Sequence, residues 1–123
     1  MKLKITKDIE FSDDRIEDLL CCAFEGGSNY WCNIFDYENP DNIKCKYKYL
    51  ELPLTERGKV LIQISYDDDD GVYTLDRDSL QHGLELMRDE YPFHMDSFID
   101  ENEDAETGDV FLQLCLFGSL VYG

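Results

Sequence analysis

Positive charge is scarce in this 123-residue sequence, which has 11 Lys and Arg against 28 Asp and Glu and a formal net charge of −17. The phosphate backbone dominates the affinity of proteins for nucleic acid, and an acidic surface repels it. Direct nucleic-acid binding through a basic groove is therefore disfavoured. Adsorption to an anionic membrane is disfavoured for the same reason.

Long apolar runs are also missing. The longest, residues 110–117, is interrupted by Gln113. It is far shorter than the ~18 residues that a membrane span needs. The first residues, 1–8, contain no signal-peptide core. The sequence therefore predicts a cytoplasmic protein that does not associate with a membrane.

The five cysteines show no C-x-x-C spacing, and the two histidines, His82 and His94, stand twelve residues apart. Structural zinc sites use Cys or His at short spacings, so we expect free thiols in a reducing compartment and no metal site. The run of aspartates before Gly71 does not make a calcium loop, because Tyr66 and Arg77 fall where an EF-hand has carboxylates.

Motifs of the common catalytic and nucleotide-binding families are absent as well, including the phosphate-binding glycine loop, H-E-x-x-H and G-x-S-x-G. No local signature pairs a nucleophilic Cys with a His base. A chain with 28 acids contains carboxylate pairs by abundance alone. We therefore expect a protein that is not an enzyme and needs no cofactor.

What the sequence does contain is a core. Hydrophobic residues make up 43% of the chain and aromatic residues 13%, which is too many for a disordered acidic tail. The length suits one domain, so residues 1–123 are expected to form a single compact acidic domain. The element pattern predicts an α+β fold, with a small, largely antiparallel sheet of three or four strands packed against three or four helices.

The element boundaries follow from periodicity, capping residues and turn signals. Strands are predicted at residues 2–9, 43–50, 60–66 and 72–75. Helices are predicted at residues 12–24, 76–91, 95–99 and 107–117. Residues 28–39 are predicted to be irregular, and residues 100–109 to form an acidic loop. In the predicted strand 43–50, Lys44, Lys46 and Lys48 share one face, where they would protect a sheet edge.

The loop of residues 26–31 leaves two interpretations open. Two glycines after a helix permit close backbone approach, and a hydroxyl, an amide, a phenol and the chain's only indole follow at once. This order is typical of a helix C-cap followed by core aromatics. It also suits a loop that contacts a ligand or a partner.

Several segments together resemble a family of small uncharacterised phage and prophage proteins. They are LLCCAFEGGSNYW at residues 19–31, TLDR at residues 74–77, DAETGDVFLQ at residues 104–113 and FGSLVYG at residues 117–123. The resemblance implies a phage origin, a single domain and action in the host cytoplasm. It brings no catalytic residues with it.

One functional hypothesis is that this chain is a counter-defence inhibitor, similar in action to anti-CRISPR proteins. It would mimic nucleic acid and cover a basic surface of a host defence protein, steered there by its negative charge. The predicted partner-binding residues come from the two densest acidic runs: Asp67, Asp68, Asp69, Asp70, Asp100, Glu101, Glu103, Asp104 and Glu106.

The alternative hypothesis is a sponge that sequesters a small nucleotide immune signal without chemistry. A base would stack on Tyr30 or Trp31, Asn29 would read its edge, and Arg77 or the lysines would meet a phosphate. The predicted ligand-binding residues are Gly26, Gly27, Ser28, Asn29, Tyr30, Trp31 and Arg77. Both hypotheses are compatible with a monomer or a homo-oligomer.

Overall fold

The computed structural model describes residues 9–65 and 71–123. Over these ranges the chain has the predicted α+β fold, with five α-helices and one open antiparallel sheet of three strands in the order β1–β2–β3. The helices are α1 (Asp13–Cys22), α2 (Lys48–Glu51), α3 (Arg77–Glu90), α4 (Pro92–Ile99) and α5 (Ala105–Phe117). The strands are β1 (Cys32–Glu38), β2 (Lys59–Ile64) and β3 (Val72–Leu75).

Helix α1 forms where the sequence predicted it. The Ser12 side chain accepts a hydrogen bond from the Arg15 amide and caps the first turn. Ile16, Leu19 and Leu20 are buried on one face of the helix. A π-helical turn, Ala23–Gly27, then leads the chain toward the sheet. The predicted amphipathic helix is therefore confirmed.

The sheet confirms two predicted strands and adds one that the sequence did not indicate. In β2, Val60, Ile62 and Ile64 are buried while the residues between them are not. The expectation that residues 28–39 are irregular is wrong, because Cys32–Glu38 pairs with β2. The register shifts between Ile34 and Asp36. This bulge breaks the period-2 pattern that would have revealed the strand.

The predicted strand at residues 43–50 is also wrong. The side chain of Asn39 both accepts from the Ile43 amide and donates to its carbonyl, which turns the chain before it could extend. The Glu51 carboxylate accepts from the Tyr47 amide, at the start of the one-turn helix α2. A short 3₁₀ turn, Leu52–Leu54, follows.

The three lysines of this segment therefore do not share a strand face. The ammonium groups of Lys46 and Lys48 lie over the rings of Tyr47 and Tyr37, and Lys44 is exposed in the loop.

Helix α5 lies at the centre of the fold. Eight of its residues are buried, among them Gln113. Two glycines allow close helix packing: a Cβ on Gly108 would lie 2.5 Å from the Ala23 amide nitrogen, and a Cβ on Gly83 of α3 would meet Cys115. Helices α1 and α3 both pack against α5 for this reason.

Helix α5 begins earlier than predicted. Asp104 is its N-cap and accepts from the Thr107 amide at 2.9 Å. The helix predicted to start near Thr107 therefore starts two residues earlier, at Ala105, inside the expected acidic loop. The predicted strand at residues 2–9 (apart from Ile9) and the predicted turn Asp67, Asp68, Asp69 and Asp70 lie outside the described residues. Among the helices of residues 9–65 and 71–123, none has the length and apolar character to cross a bilayer.

Candidate functional site

Asp109, on α5, gathers the residues that the sequence singled out. Its carboxylate accepts hydrogen bonds from the Ser28 hydroxyl at 2.8 Å, the Tyr30 hydroxyl at 2.8 Å and the Trp31 indole N–H at 2.6 Å. The amide of Gln113 donates to it at 3.2 Å. The loop of residues 26–31 is thus joined to helix α5, which carries both Asp109 and Gln113. We call these five residues the Asp109 centre.

Three of the five residues of the Asp109 centre, Ser28, Trp31 and Gln113, are buried in the core. Trp31 and Ser28 are 0% exposed. Phe117 and Tyr122 cover the Trp31 ring, with centroids 5.3 Å and 5.5 Å away. A nucleotide base therefore has no open face of Trp31 to stack on in this conformation. Of the loop's two open interpretations, the contacts match the helix end followed by core aromatics.

The other predicted ligand-binding residues are spread around this loop. Gly26, Asn29 and Tyr30 are exposed. Gly27 is packed so closely that a Cβ would clash with the backbone of Ala105. The loop therefore exposes the amide of Asn29 and the ring of Tyr30 to solvent, while Ser28 and Trp31 are buried.

Arg77 lies apart from this loop. The Trp31 carbonyl accepts from the Ser65 amide, just beyond one end of β2. Arg77 stands two residues after Leu75, the last residue of β3, and Leu75 pairs with Val60 near the other end of β2. Five strand residues separate the two places by about 16 Å. The fold does not bring the predicted nucleotide-binding residues into one site.

Carboxylates from three segments instead meet around α1, most of them exposed or half-buried and one, that of Glu103, largely buried. We call this surface the acidic face. Its members come from α1 and the turn after it, from α2, and from the loop between α4 and α5: Asp13, Asp14, Glu17, Asp18, Glu25, Glu51, Glu101, Glu103 and Asp104.

Arg15 connects α1 to the α4–α5 loop. Its guanidinium lies 2.6 Å from Glu103, 3.2 Å from Asp18 and 3.8 Å from Glu101. It also donates to the Phe98 carbonyl at 2.6 Å and lies over that ring. These contacts fix the loop carboxylates beside α1.

Carboxylates of α1 also lie near the carboxylate of Glu51 on α2, the short helix that contacts α1. Desolvation and then the negative charges of Glu51, Asp14 and Asp13 raise the pKa of Glu17. Since these charges belong to α1 and α2, the two helices bring carboxylates within range of one another.

Carboxylates also lie near the thiol of Cys22, on the other side of α1. Burial raises its pKa, and the charges of Glu103, Asp104 and Asp18 raise it further. Negative potential therefore extends from α2 across α1 to the start of α5.

The predicted partner-binding residues divide between structural and exposed positions. The side chain of Glu103 is 7% exposed; burial opposes its ionisation, but the bonds from Arg15 lower its pKa below the ordinary value. The Thr107 amide lowers the pKa of Asp104, the N-cap of α5. Asp100, Glu101 and Glu106 are exposed.

Sequence reasoning missed the carboxylates of α1 and α2. Asp14 and Asp18 stand four residues apart on the polar side of α1, and Glu25 lies in the π-helical turn that follows the helix. That spacing was a usable signal. A search for consecutive acids passes over it, because helical neighbours are not neighbours in sequence.

Within the two described ranges, no three His, Cys, Asp or Glu side chains are arranged to hold a metal ion. Comparison with known proteins finds no matching family model, no matching curated protein and no matching solved structure.

Proposed function

We propose that this protein is a binding protein that applies its acidic face to a basic, nucleic-acid-binding surface of a host protein and competes there with nucleic acid. The observation that carries the proposal is the convergence of carboxylates from α1, α2 and the α4–α5 loop on one surface. Asp18 and Glu101 are 64% and 73% exposed at their side chains, so both are accessible to a partner.

The spacing of the charges supports mimicry. Duplex DNA carries one charge per about 1.7 Å of its axis, counted over both strands. A single helical row repeats only about every 6 Å, because its members stand four residues apart and each residue rises about 1.5 Å. One row would therefore be too sparse. The acidic face adds charges from α2 on one side of α1 and from the α4–α5 loop on the other, which raises the density.

The energetics point the same way. The pKa of Glu17 is raised by desolvation and by neighbouring carboxylates, so ionising it in the folded chain is unfavourable. A basic surface docked on α1 would offset the repulsion from Glu51, Asp14 and Asp13 and so favour the ionised form of Glu17. The repulsion stored in the free protein is thus relieved by a partner with the opposite charge.

The biological setting comes from the resemblance to phage and prophage proteins. A phage protein acting in the host cytoplasm gains from blocking a nucleic-acid-guided defence enzyme, whose groove is rich in Lys and Arg. We propose such an enzyme as the partner, and inhibition without chemistry as the mode of action.

The experiment compares two variants with equal net charge. In the first, Asp14, Asp18, Glu25 and Glu101 of the acidic face are replaced by the matching amides. In the control, four exposed acids of α3 are replaced in the same way: Asp78, Glu85, Asp89 and Glu90. Immobilised wild type and both variants are incubated with host lysate, and bound proteins are eluted with duplex DNA.

We expect wild type and the α3 variant to retain a partner that duplex DNA elutes, and the acidic-face variant to lose it. Retention should also fall steeply with salt, because exposed charges are screened over about 10 Å at 0.1 M ionic strength. Equal retention by both variants would contradict the proposal, as would a partner that duplex DNA does not displace.

A further inference from the structure

Residues 119–123 form a strap over the buried indole of Trp31. Gly118 ends α5 with a φ of 73°, in the left-handed region that favours glycine, and turns the chain back. The strap has neither helix nor strand. The ring of Tyr122 stacks on Trp31 with 5.5 Å between centroids and 19° between planes.

The side chain of Gln113 binds the strap through the strap's backbone groups. The side-chain oxygen of Gln113, Oε1, accepts hydrogen bonds from the Val121 backbone amide at 2.8 Å and from the Tyr122 backbone amide at 2.9 Å. The side-chain nitrogen of Gln113, Nε2, donates a hydrogen bond to the Tyr122 backbone carbonyl at 3.0 Å. Gln113 is 1% exposed, and Asp109 accepts from the same nitrogen, which fixes its orientation. One buried amide thus satisfies three backbone groups of two successive residues.

This arrangement has the parts of a peptide-recognition site. A buried amide binds main-chain groups irrespective of side chain, and the face of Trp31 selects an aromatic ring. The attachment is shallow on the outer side, since Leu120 is 40% and Val121 55% exposed. Release of the strap therefore breaks the contacts of Tyr122 with Trp31 and Phe117 and the bonds to Gln113, while Leu120 and Val121 add little to what holds it.

We infer that the surface formed by Trp31, Gln113 and Phe117 is a peptide-binding site, which the chain fills with its own residues 119–123. In trans it takes an extended segment, presented by a second chain, that carries an aromatic residue in the position of Tyr122. The strap is then an internal competitor, and its release opens the site. This site lies at the Asp109 centre and not on the acidic face, so it does not depend on the proposed function.

The test uses Trp31 as the reporter, because it is the chain's only tryptophan. In full-length Tyr122→Ala, we expect the emission to shift to the red and the acrylamide quenching constant to rise several-fold. Adding the peptide Gly-Ser-Leu-Val-Tyr-Gly should restore both wild-type values. The same peptide with Ala in place of Tyr should not. Phe93→Ala, which removes an aromatic ring that is 76% exposed on α4, should leave the emission unchanged.

Two outcomes would overturn the inference while the far-ultraviolet circular dichroism stays native. One is unchanged quenching in Tyr122→Ala, and the other is failure of the tyrosine peptide to restore it. If the variant does not fold, hydrogen exchange on the wild type decides. The Val121 and Tyr122 amides should exchange by an opening that leaves α5 protected, and exchange only together with α5 would contradict the inference.

Discussion

The Asp109 centre and the acidic face use the same chemical group in opposite ways. At Asp109, four donors from two segments surround one carboxylate. On the acidic face, carboxylates surround one another, and Arg15 compensates those nearest the α4–α5 loop. A carboxylate with donors organises a core, whereas a carboxylate among carboxylates opposes folding and attracts cations. This difference separates the residues that stabilise the fold from those available to a partner.

The largest expected effect comes from the core side of this comparison. Trp31→Ala removes a side chain that is completely buried and donates to Asp109. Truncating a buried Trp costs about 3–5 kcal/mol of unfolding free energy, and we expect this range here. Chemical denaturation monitored by circular dichroism measures it. The loss of an exposed aromatic, in Phe93→Ala, should cost far less, since Phe93 is 76% exposed.

The second prediction tests the carboxylate itself. Asp109→Asn replaces an oxygen that accepts hydrogen bonds by an NH₂ group, so at least one of the surrounding donors loses its acceptor. A buried donor left without a partner costs about 1–3 kcal/mol, and we expect the upper end. The matched control is Asp96→Asn, at an exposed position of α4. If denaturation midpoints for both variants coincide, the Asp109 centre does not stabilise the fold.

The sequence predicted the parts of the fold that depend on local chemistry. Ser12 and Asp76 are hydrogen-bonding caps in the structure, and each begins a helix that the periodicity indicated. The misses have local causes too. Strand β1 was hidden by the bulge near Phe35, and the alternation of lysines with other residues at 43–50 imitated a strand that Asn39 prevents.

The candidate sites were harder to predict because they depend on distant contacts. Trp31 and Asp109 are 78 residues apart, and no local pattern states that they meet. The acidic face likewise requires α2 and the α4–α5 loop to flank α1, which only tertiary packing decides. The sequence therefore supplied the chemical groups of both regions but not their assembly.

The third prediction concerns the part of the acidic face that Arg15 compensates. Glu103→Gln weakens a largely buried ion pair, since the two side chains are 19% and 7% exposed. Hydrogen bonds to charged groups contribute about 1.5–3 kcal/mol, and we expect a loss near the lower value. The pKa of Glu103 is lowered in the folded chain, so its stabilisation exists above the ordinary value of 4.5 and disappears as pH falls through the folded pKa. Denaturation midpoints of wild type and variant should therefore converge in acid.

The smallest expected effect comes from the uncompensated part, and it has the opposite sign. Desolvation and the charges of Glu51, Asp14 and Asp13 raise the pKa of Glu17 above 4.5 in the folded chain. The folded state then binds more protons than the unfolded state, so this group's contribution to stability falls as pH rises from 4.5 through the folded pKa. Glu17→Gln removes that loss, and at neutral pH it should raise stability by about 0.2–1 kcal/mol, the range of surface charge interactions. A pH series of thermal unfolding should show the gain vanish in acid. If Glu17→Gln instead destabilises the chain as Glu103→Gln does, then Glu17 has a compensating partner, and the acidic face does not carry the repulsion on which the proposed binding to a basic surface rests.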